Sequence, residues 1–313
     1  MNKKLLVVGT MAYDAIETPF GKTGKILGGC ATYIGLAASQ FDTQCGLVSV
    51  IGDDFEKGHI KLLKDKGMDL SGVVSIPGEK TFFWSGRYHN NMNSRDTIET
   101  QLNVLETFDP IVPEQYKDCQ ILMLGNLMPI IQQQVFNQLS KKPELTVLDT
   151  MNFWMDNCMD DLMEALKYVD VLTINDEEAR QLSGEYSLVV AAKKIMSFGP
   201  KTLIIKKGEH GALLFNGDKK FFAPAMPLEK VFDPTGAGDT FGAIFLTKFI
   251  DGCGFEILSL DALKKSHTDG EDRHRSELCT MYIRENKDKF KIEYISSPSK
   301  LLRKDIRLTV DYP

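Results

Sequence analysis

An α/β fold with an open, mostly parallel sheet flanked by helices is what the first 250 residues predict. Three observations carry that expectation. Short apolar runs of strand length alternate with amphipathic stretches of helix length, the rhythm of repeated strand and helix units. Polar residues recur at the carboxyl ends of those runs, where open parallel sheets bind their ligands. Two stretches, 14–27 and 80–105, break the rhythm, and residues 81–88 are rich in aromatic and β-branched side chains, as strands leaving the main sheet to form a small lid would be.

In chain order, strands are expected at 5–8, 44–51, 121–124, 145–149, 171–173 and 202–206. Helices are expected between them, at 32–40, 54–66, 130–139, 160–168, 176–182 and 188–196. The composition then changes. Residues 251–313 carry 12 Lys and Arg against 12 Asp and Glu, so the whole net charge of -6 arises earlier, and only Gly252, Gly254 and Gly270 of the 25 glycines lie in this tail. We place a domain boundary near Ile250, giving a domain over 1–250 and a charge-rich tail over 251–313. Helices are expected in the tail at 256–265 and 275–286, and short strands at 291–295 and 308–310, a set too short for a complete α/β domain.

The chain has 313 residues, 43% of them hydrophobic, enough for one large or two ordinary domains. Its mildly acidic balance excludes a nonspecific grip on nucleic acid or an anionic membrane, so an anionic ligand must be held locally. No apolar run approaches the roughly 18 residues of a membrane span, and a cytoplasmic protein is expected. The six cysteines are scattered without a CxxC pair, which reads as buried thiols.

The most informative stretch is Asp233-Pro-Thr-Gly-Ala-Gly-Asp239, which runs directly into an apolar helix. Such a loop turns several backbone N–H groups and the positive end of the helix dipole toward an anion. A carboxylate repels phosphate, so Asp239 at its end suggests a separate task, such as taking the proton from an attacking hydroxyl. The same letters also suit an ordinary glycine turn, with Asp239 as a favourable first-turn acid.

Gly21-Lys22-Thr23 imitates the end of a P-loop but has Ile16 where the motif needs glycine, and Gly9 opens no G-x-G-x-x-G, which argues against a dinucleotide. Asp14, Asn126, Asp149, Asn152, Asn175 and Glu178 all fall at expected strand ends. Each alone reads as a cap or turn residue, whereas together they read as a site. Glu178 either complements the dipole of the helix it starts or organises the water shell of Mg²⁺.

Five segments, in order, resemble the ribokinase-like sugar and nucleoside kinases of the PfkB family, and the chain is identified as a member over residues 1–250. They are the pair Gly28-Gly29, Val50-Ile-Gly-Asp-Asp54 with Gly58 and Gly67, Asn175-Asp-Glu-Glu178, Lys207-Gly-Glu-His-Gly211, and Asp233 to Asp239. The resemblance implies a ribokinase-like fold and ATP- and Mg²⁺-dependent phosphorylation of a hydroxymethyl group on a sugar or nucleoside. It makes Asp239 the base, Gly236, Ala237 and Gly238 the anion hole, and Asn175, Lys207 and Gly208 neighbours of the nucleotide. Glu178 would serve the metal, and Asp14, Gly28, Gly29 and Asn126 the acceptor. Dimerisation through the lid is consistent with the family.

Where many sugar kinases of the family place Asn, five residues after the first glycine of the pair, this chain has Tyr33. Phe82, Phe83, Trp84 and Tyr88 either stack on a nucleoside base or pack the lid. The tail resembles the C-terminal end of sugar nucleotidyltransferases of the spore-coat and cytidylyltransferase type, as in a chimera. A kinase that has exchanged its C-terminal helices would be active, or would survive as a non-catalytic binding protein.

Overall fold

The first strand, β1 (Lys4–Val8), feeds two separate cores, with Leu6 and Val8 pointing into one and Leu5 and Val7 into the other. All four side chains are fully buried. A strand covered on both faces reads as an unbroken apolar run, the mark of a parallel sheet sandwiched by helices.

The computed structural model describes residues 3–41, 43–247, 265, 268–270 and 286–289. After β1 come β2 (Ala12–Thr18), β3 (Gly21–Lys22), β4 (Ile26–Gly28), α1 (Cys30–Ala38), β5 (Gln44–Gly52), α2 (Lys57–Asp65), β6 (Asp69–Ile76), β7 (Phe83–Tyr88) and β8 (Arg95–Gln101). The chain continues through β9 (Ile121–Leu124), α3 (Pro129–Asn137), β10 (Leu145–Asp149), α4 (Asn152–Asn157), α5 (Met159–Leu166), β11 (Val171–Asn175) and α6 (Asp176–Ser183). It closes with α7 (Leu188–Met196), β12 (Thr202–Lys206), β13 (Ala212–Asn216), β14 (Lys219–Ala223) and α8 (Ala237–Thr247).

Among the described residues the main sheet has nine strands in the order β14-β13-β12-β11-β10-β9-β1-β5-β6. Pairing is parallel from β12 to β6 and antiparallel at β13 and β14. From β1 the chain passes to β5 on one side and later to β9 on the other, so a crevice opens at their carboxyl ends. Over it stands a second sheet of five strands, β3-β2-β7-β8 with β4 on β2.

The six expected strands and six expected helices are present, with ends shifted by up to three residues. The strand expected at 171–173 runs on to Asn175, and the helix expected at 54–66 starts at Lys57. Asp14 is placed differently from its expectation: it lies inside β2, on the way up into the lid. The strands β6, β13 and β14 and the short helix α4 had no expected counterpart. β6 and β14 are the edges of the sheet and β13 lies next to one, so their exposed positions interrupt the apolar signal.

Helix ends follow local chemistry. Pro129 opens α3, where its missing N–H costs nothing. α6 begins with a reciprocal capping box, in which the Glu178 N–H donates to Asn175 Oδ1 at 2.8 Å and the Asn175 N–H to Glu178 Oε2 at 2.7 Å.

The chain divides into two compact units, Met1–Lys248 and Phe249–Pro313. In the second, Lys265 Nζ meets Asp269 Oδ2 at 2.6 Å and a short 3-10 turn spans Lys287–Lys289. Apart from Lys265 and Asn286, the helices expected at 256–265 and 275–286 and the strands at 291–295 and 308–310 lie outside the described residues. Among the described residues no helix is long and apolar enough to cross a membrane.

Candidate active site

A cleft of about 520 Å³ lies at the carboxyl ends of β1, β9, β10, β11 and β12, beneath the lid sheet. Ten of the twelve residues predicted to form a site line it: Asp14, Gly29, Asn126, Asn175, Glu178, Lys207, Gly208, Gly236, Gly238 and Asp239. Gly28 and Ala237 stand outside the wall.

Gly28 and Gly29 are glycines for steric reasons. A Cβ on Gly28 would lie 2.1 Å from Asp14 Oδ2, and one on Gly29, held at φ 93°, would lie 2.3 Å from the Thr10 carbonyl oxygen. The pair therefore lets Asp14 settle against the entrance to α1. Burial pushes the Asp14 carboxyl up to about 6, against the Gly29 N–H and the Tyr33 hydroxyl, which favour its charge, while nearby Asp233 adds to the rise. That hydroxyl donates to Asp14 Oδ2 at 3.5 Å.

The loop before α8 is shaped by its own side chains. Thr235 N–H donates to Asp233 Oδ1 at 2.9 Å, and Gly236 adopts φ 76° with the Tyr33 ring 2.6 Å from where its Cβ would be. The Ala237 N–H donates to the Pro234 carbonyl at 3.1 Å, whereas Gly236 and Gly238 have no N–H partner in the backbone among the described residues. Tyr33 thus joins the acid Asp14 to the glycine loop.

Asp239, half-buried in the first turn of α8, faces Asp149, Lys206, Asp14 and Arg95. Desolvation, then Asp149 and Asp14, drive its carboxyl well above the usual range, and Lys206 and Arg95 restrain the rise. Glu178 is 4% exposed and is pushed up to about 7, first by burial, with Lys206 opposing and Asp149 reinforcing. Among the described residues, no group of three or more His, Cys, Asp or Glu side chains is arranged to hold a metal alone. One buried carboxylate at the cleft wall suits Mg²⁺ that keeps most of its shell as water and phosphate oxygen.

Asn126 is fixed from behind: Trp154 Nε1 donates to its Oδ1 at 2.7 Å, and its Nδ2 lies 3.0 Å from Met151 Sδ. The lid adds Phe82, Trp84, Tyr88 and Arg95 to the lining. Phe83, grouped with these aromatics in the sequence, faces the other way and packs into the core with Tyr13 and Phe55. The Arg95 guanidinium lies 5.9 Å from the Trp84 ring centre, and Thr235 Oγ1 and the Tyr88 hydroxyl meet at 3.2 Å, tying β7 to the glycine loop.

Sequence reasoning passed over Lys206, Thr150 and Arg95. Lys206 had a usable signal, because a lysine closes the apolar run Leu203–Ile205 at the carboxyl end of β12. Arg95 had none, since one arginine in a polar lid segment stands out from nothing.

Among the described residues, a nine-stranded sheet with a strand-end cleft, a glycine loop opening a helix and a small lid of mixed pairing, parallel between β2 and β7 and antiparallel elsewhere, define a ribokinase-like α/β protein. The chain belongs to the PfkB family: the pattern described as pfkB family carbohydrate kinase matches residues 2–259. The cytidine kinase of Thermococcus kodakarensis is 30% identical over 252 residues, covering 79% of this chain and 89% of that protein. Two solved structures share the fold. Burkholderia thailandensis nucleoside kinase in complex with inosine has a TM-score of 0.60 at 19% identity, over 76% of this chain and 82% of that one. Ribokinase from Cryptococcus neoformans var. grubii serotype A in complex with ADP has 0.63 at 20%, over 79% and 86%.

Proposed function

We propose that the protein transfers the γ-phosphoryl group of ATP to the hydroxymethyl group of a nucleoside, with cytidine the first acceptor to test. The observation that carries this reading is the placement of Asp239 on the same cleft as the glycine loop and the buried acid Asp14. The cytidine kinase relative and the inosine-bound neighbour favour a nucleoside over a free sugar, and the aromatic lid face of Phe82, Trp84 and Tyr88 offers flat surfaces to a base.

The raised pKa of Asp239 suits it to take the proton of the acceptor hydroxyl near neutral pH. As that proton moves to Asp239, the acceptor oxygen bonds to the γ-phosphorus and the bond from phosphorus to the bridging oxygen of ADP breaks. N–H groups of Gly236 and Gly238, at the positive end of α8, stabilise the charge on the phosphoryl oxygens, and Ala237 joins them once its N–H leaves the Pro234 carbonyl. Asp14, with Gly28 and Gly29 giving it room, binds the ribose hydroxyls, and Asn126 supplies a further polar contact. Asn175, Lys207 and Gly208 border the nucleotide. Mg²⁺ beside Glu178 would neutralise charge on the phosphates.

The test is ADP formation with Mg²⁺ across a panel of nucleosides and sugars. Acceptor-dependent ADP formation, greatest with a nucleoside, is expected. A folded protein that binds a nucleoside but forms no ADP with any acceptor would instead identify a non-catalytic binding protein.

A further inference from the structure

We infer that Lys206 is a catalytic residue that contacts the phosphoryl group in transit, and that Asp149 is the positioning residue that aims its ammonium. The inference rests on the kinase reading above and adds to it a cation supplied by the main sheet.

Lys206 ends β12, whose other four residues are buried. Its Nζ meets Asp149 Oδ1 at 2.9 Å, and that oxygen also accepts from Thr173 Oγ1 at 3.0 Å, so neighbouring parallel strands fix the ammonium at the base of the cleft. The two side chains are 18% and 9% exposed. Lysine is rarely so buried, and a buried ion pair returns little net stability, so the pair calls for another reason to be there.

Its address supplies one. Lys206 Nζ lies 3.2 Å from where a Cβ on Gly238 would sit, directly against the glycine loop. Phosphates entering this cleft meet Asp14, Asp149, Glu178 and Asp239, and an anion cannot approach four carboxylates without a fixed positive partner. Burial alone would discharge Lys206, but Asp149, Glu178 and Asp239 more than offset it and hold the ammonium protonated. During transfer Lys206 keeps its proton and donates a hydrogen bond to a non-bridging phosphoryl oxygen, while the acceptor proton goes to Asp239 and ADP leaves.

The experiment compares Lys206→Met, Lys206→Arg, Asp149→Asn and the Lys206→Met/Asp149→Asn double variant with the parent protein, each checked by thermal melting. Lys206→Met should lower kcat about 10²- to 10³-fold. Nucleoside affinity in equilibrium titration should change less than about threefold, and Lys206→Arg should recover part of the rate. The acid limb of its kcat/KM profile should move to higher pH, since Asp239 would then face Asp149, Asp14, Arg95, Cys30 and Tyr33 without Lys206.

Parent-like kcat in Lys206→Met would overturn the inference. So would parent-like activity in the double variant, because Lys206 would then serve only to neutralise Asp149. If Lys206→Met does not fold, Lys206→Arg and the double variant decide. A parent protein inert toward every acceptor removes the kinase reading itself, an outcome separate from any Lys206 result.

Discussion

The two walls of the cleft are built by different physics. The lower wall stands on strands whose side chains are buried on both faces, and its polar groups are pinned by neighbours: Asp149 by Thr173 and Lys206, Asn126 by Trp154, Glu178 by its capping box. The upper wall is the lid, where β8 is exposed along almost its whole length and Arg95 has an aromatic ring for company and no ion-pair partner among the described residues. Phosphoryl transfer demands alignment, which the sheet provides, whereas an acceptor must enter and leave, which suits a wall with few buried contacts. On the proposed reading, the reacting groups belong to the sheet side and the acceptor's shape to the lid side.

The largest expected effect tests the lower wall. Asp239→Asn keeps the shape of the side chain but replaces an accepting oxygen with a donating amide and so removes the base, and kcat should fall about 10²- to 10⁴-fold with nucleotide affinity largely intact. In the parent protein the rate should fall as pH drops through the raised pKa of Asp239 and level off above it, since only the ionised form accepts the proton. Steady-state kinetics over pH 5 to 9 check both. Unchanged turnover in the variant would remove the proposed mechanism and the division of labour with it.

This same contrast decided what could be read from the sequence. Backbone devices leave letters behind: Gly28 and Gly29 because a side chain would strike Asp14 or Thr10, Asn175 and Glu178 because a capping box needs that spacing. Strands covered on both faces announced themselves as apolar runs. β6, β13 and β14, at or next to the sheet's edges, did not. On the lid, residues 82, 84 and 88 share a face by strand alternation while Phe83 takes the other, a distinction that composition alone blurred. Lys206 and Asp149 meet only because β10 and β12 flank β11, a relation of topology that no local pattern carries.

An intermediate effect comes from Asp14, which belongs to both walls, since β2 leaves the sheet side to build the lid. Asp14→Asn should raise the acceptor KM about 10- to 100-fold, the loss of a hydrogen bond to a charged group. Its effect on stability should have the opposite sign. The folded protein holds the Asp14 proton up to about pH 6, against an ordinary 3.8, so its stabilising contribution is complete below about 4 and is lost as pH rises through 6. At pH 8 the buried carboxylate is ionised at a cost that asparagine avoids. Urea unfolding without ligands should show Asp14→Asn more stable by about 1–2 kcal/mol at pH 8 and little changed near pH 3.5. A variant less stable at pH 8 would mean that Gly29 and Tyr33 already satisfy the charge.

The smallest expected effect probes the seam between the walls. The Tyr88 hydroxyl on β7 and Thr235 Oγ1 on the glycine loop meet at 3.2 Å, so a lid strand is tied directly to the loop proposed to bind phosphate. Tyr88→Phe keeps the buried ring and removes only that contact, and Thr235, which is half-buried, can turn its hydroxyl to water. A net loss of about 0.5–1.5 kcal/mol follows for whichever state needs the tie. If the lid shapes acceptor binding and the sheet runs the chemistry, the acceptor KM should rise about 2- to 10-fold while kcat in single-turnover experiments stays close to the parent value. A fall in single-turnover kcat approaching that of Asp239→Asn would mean instead that lid closure sets the glycine loop for transfer. The upper wall would then be part of the catalytic machinery, and the two halves of the cleft would have to be treated as one.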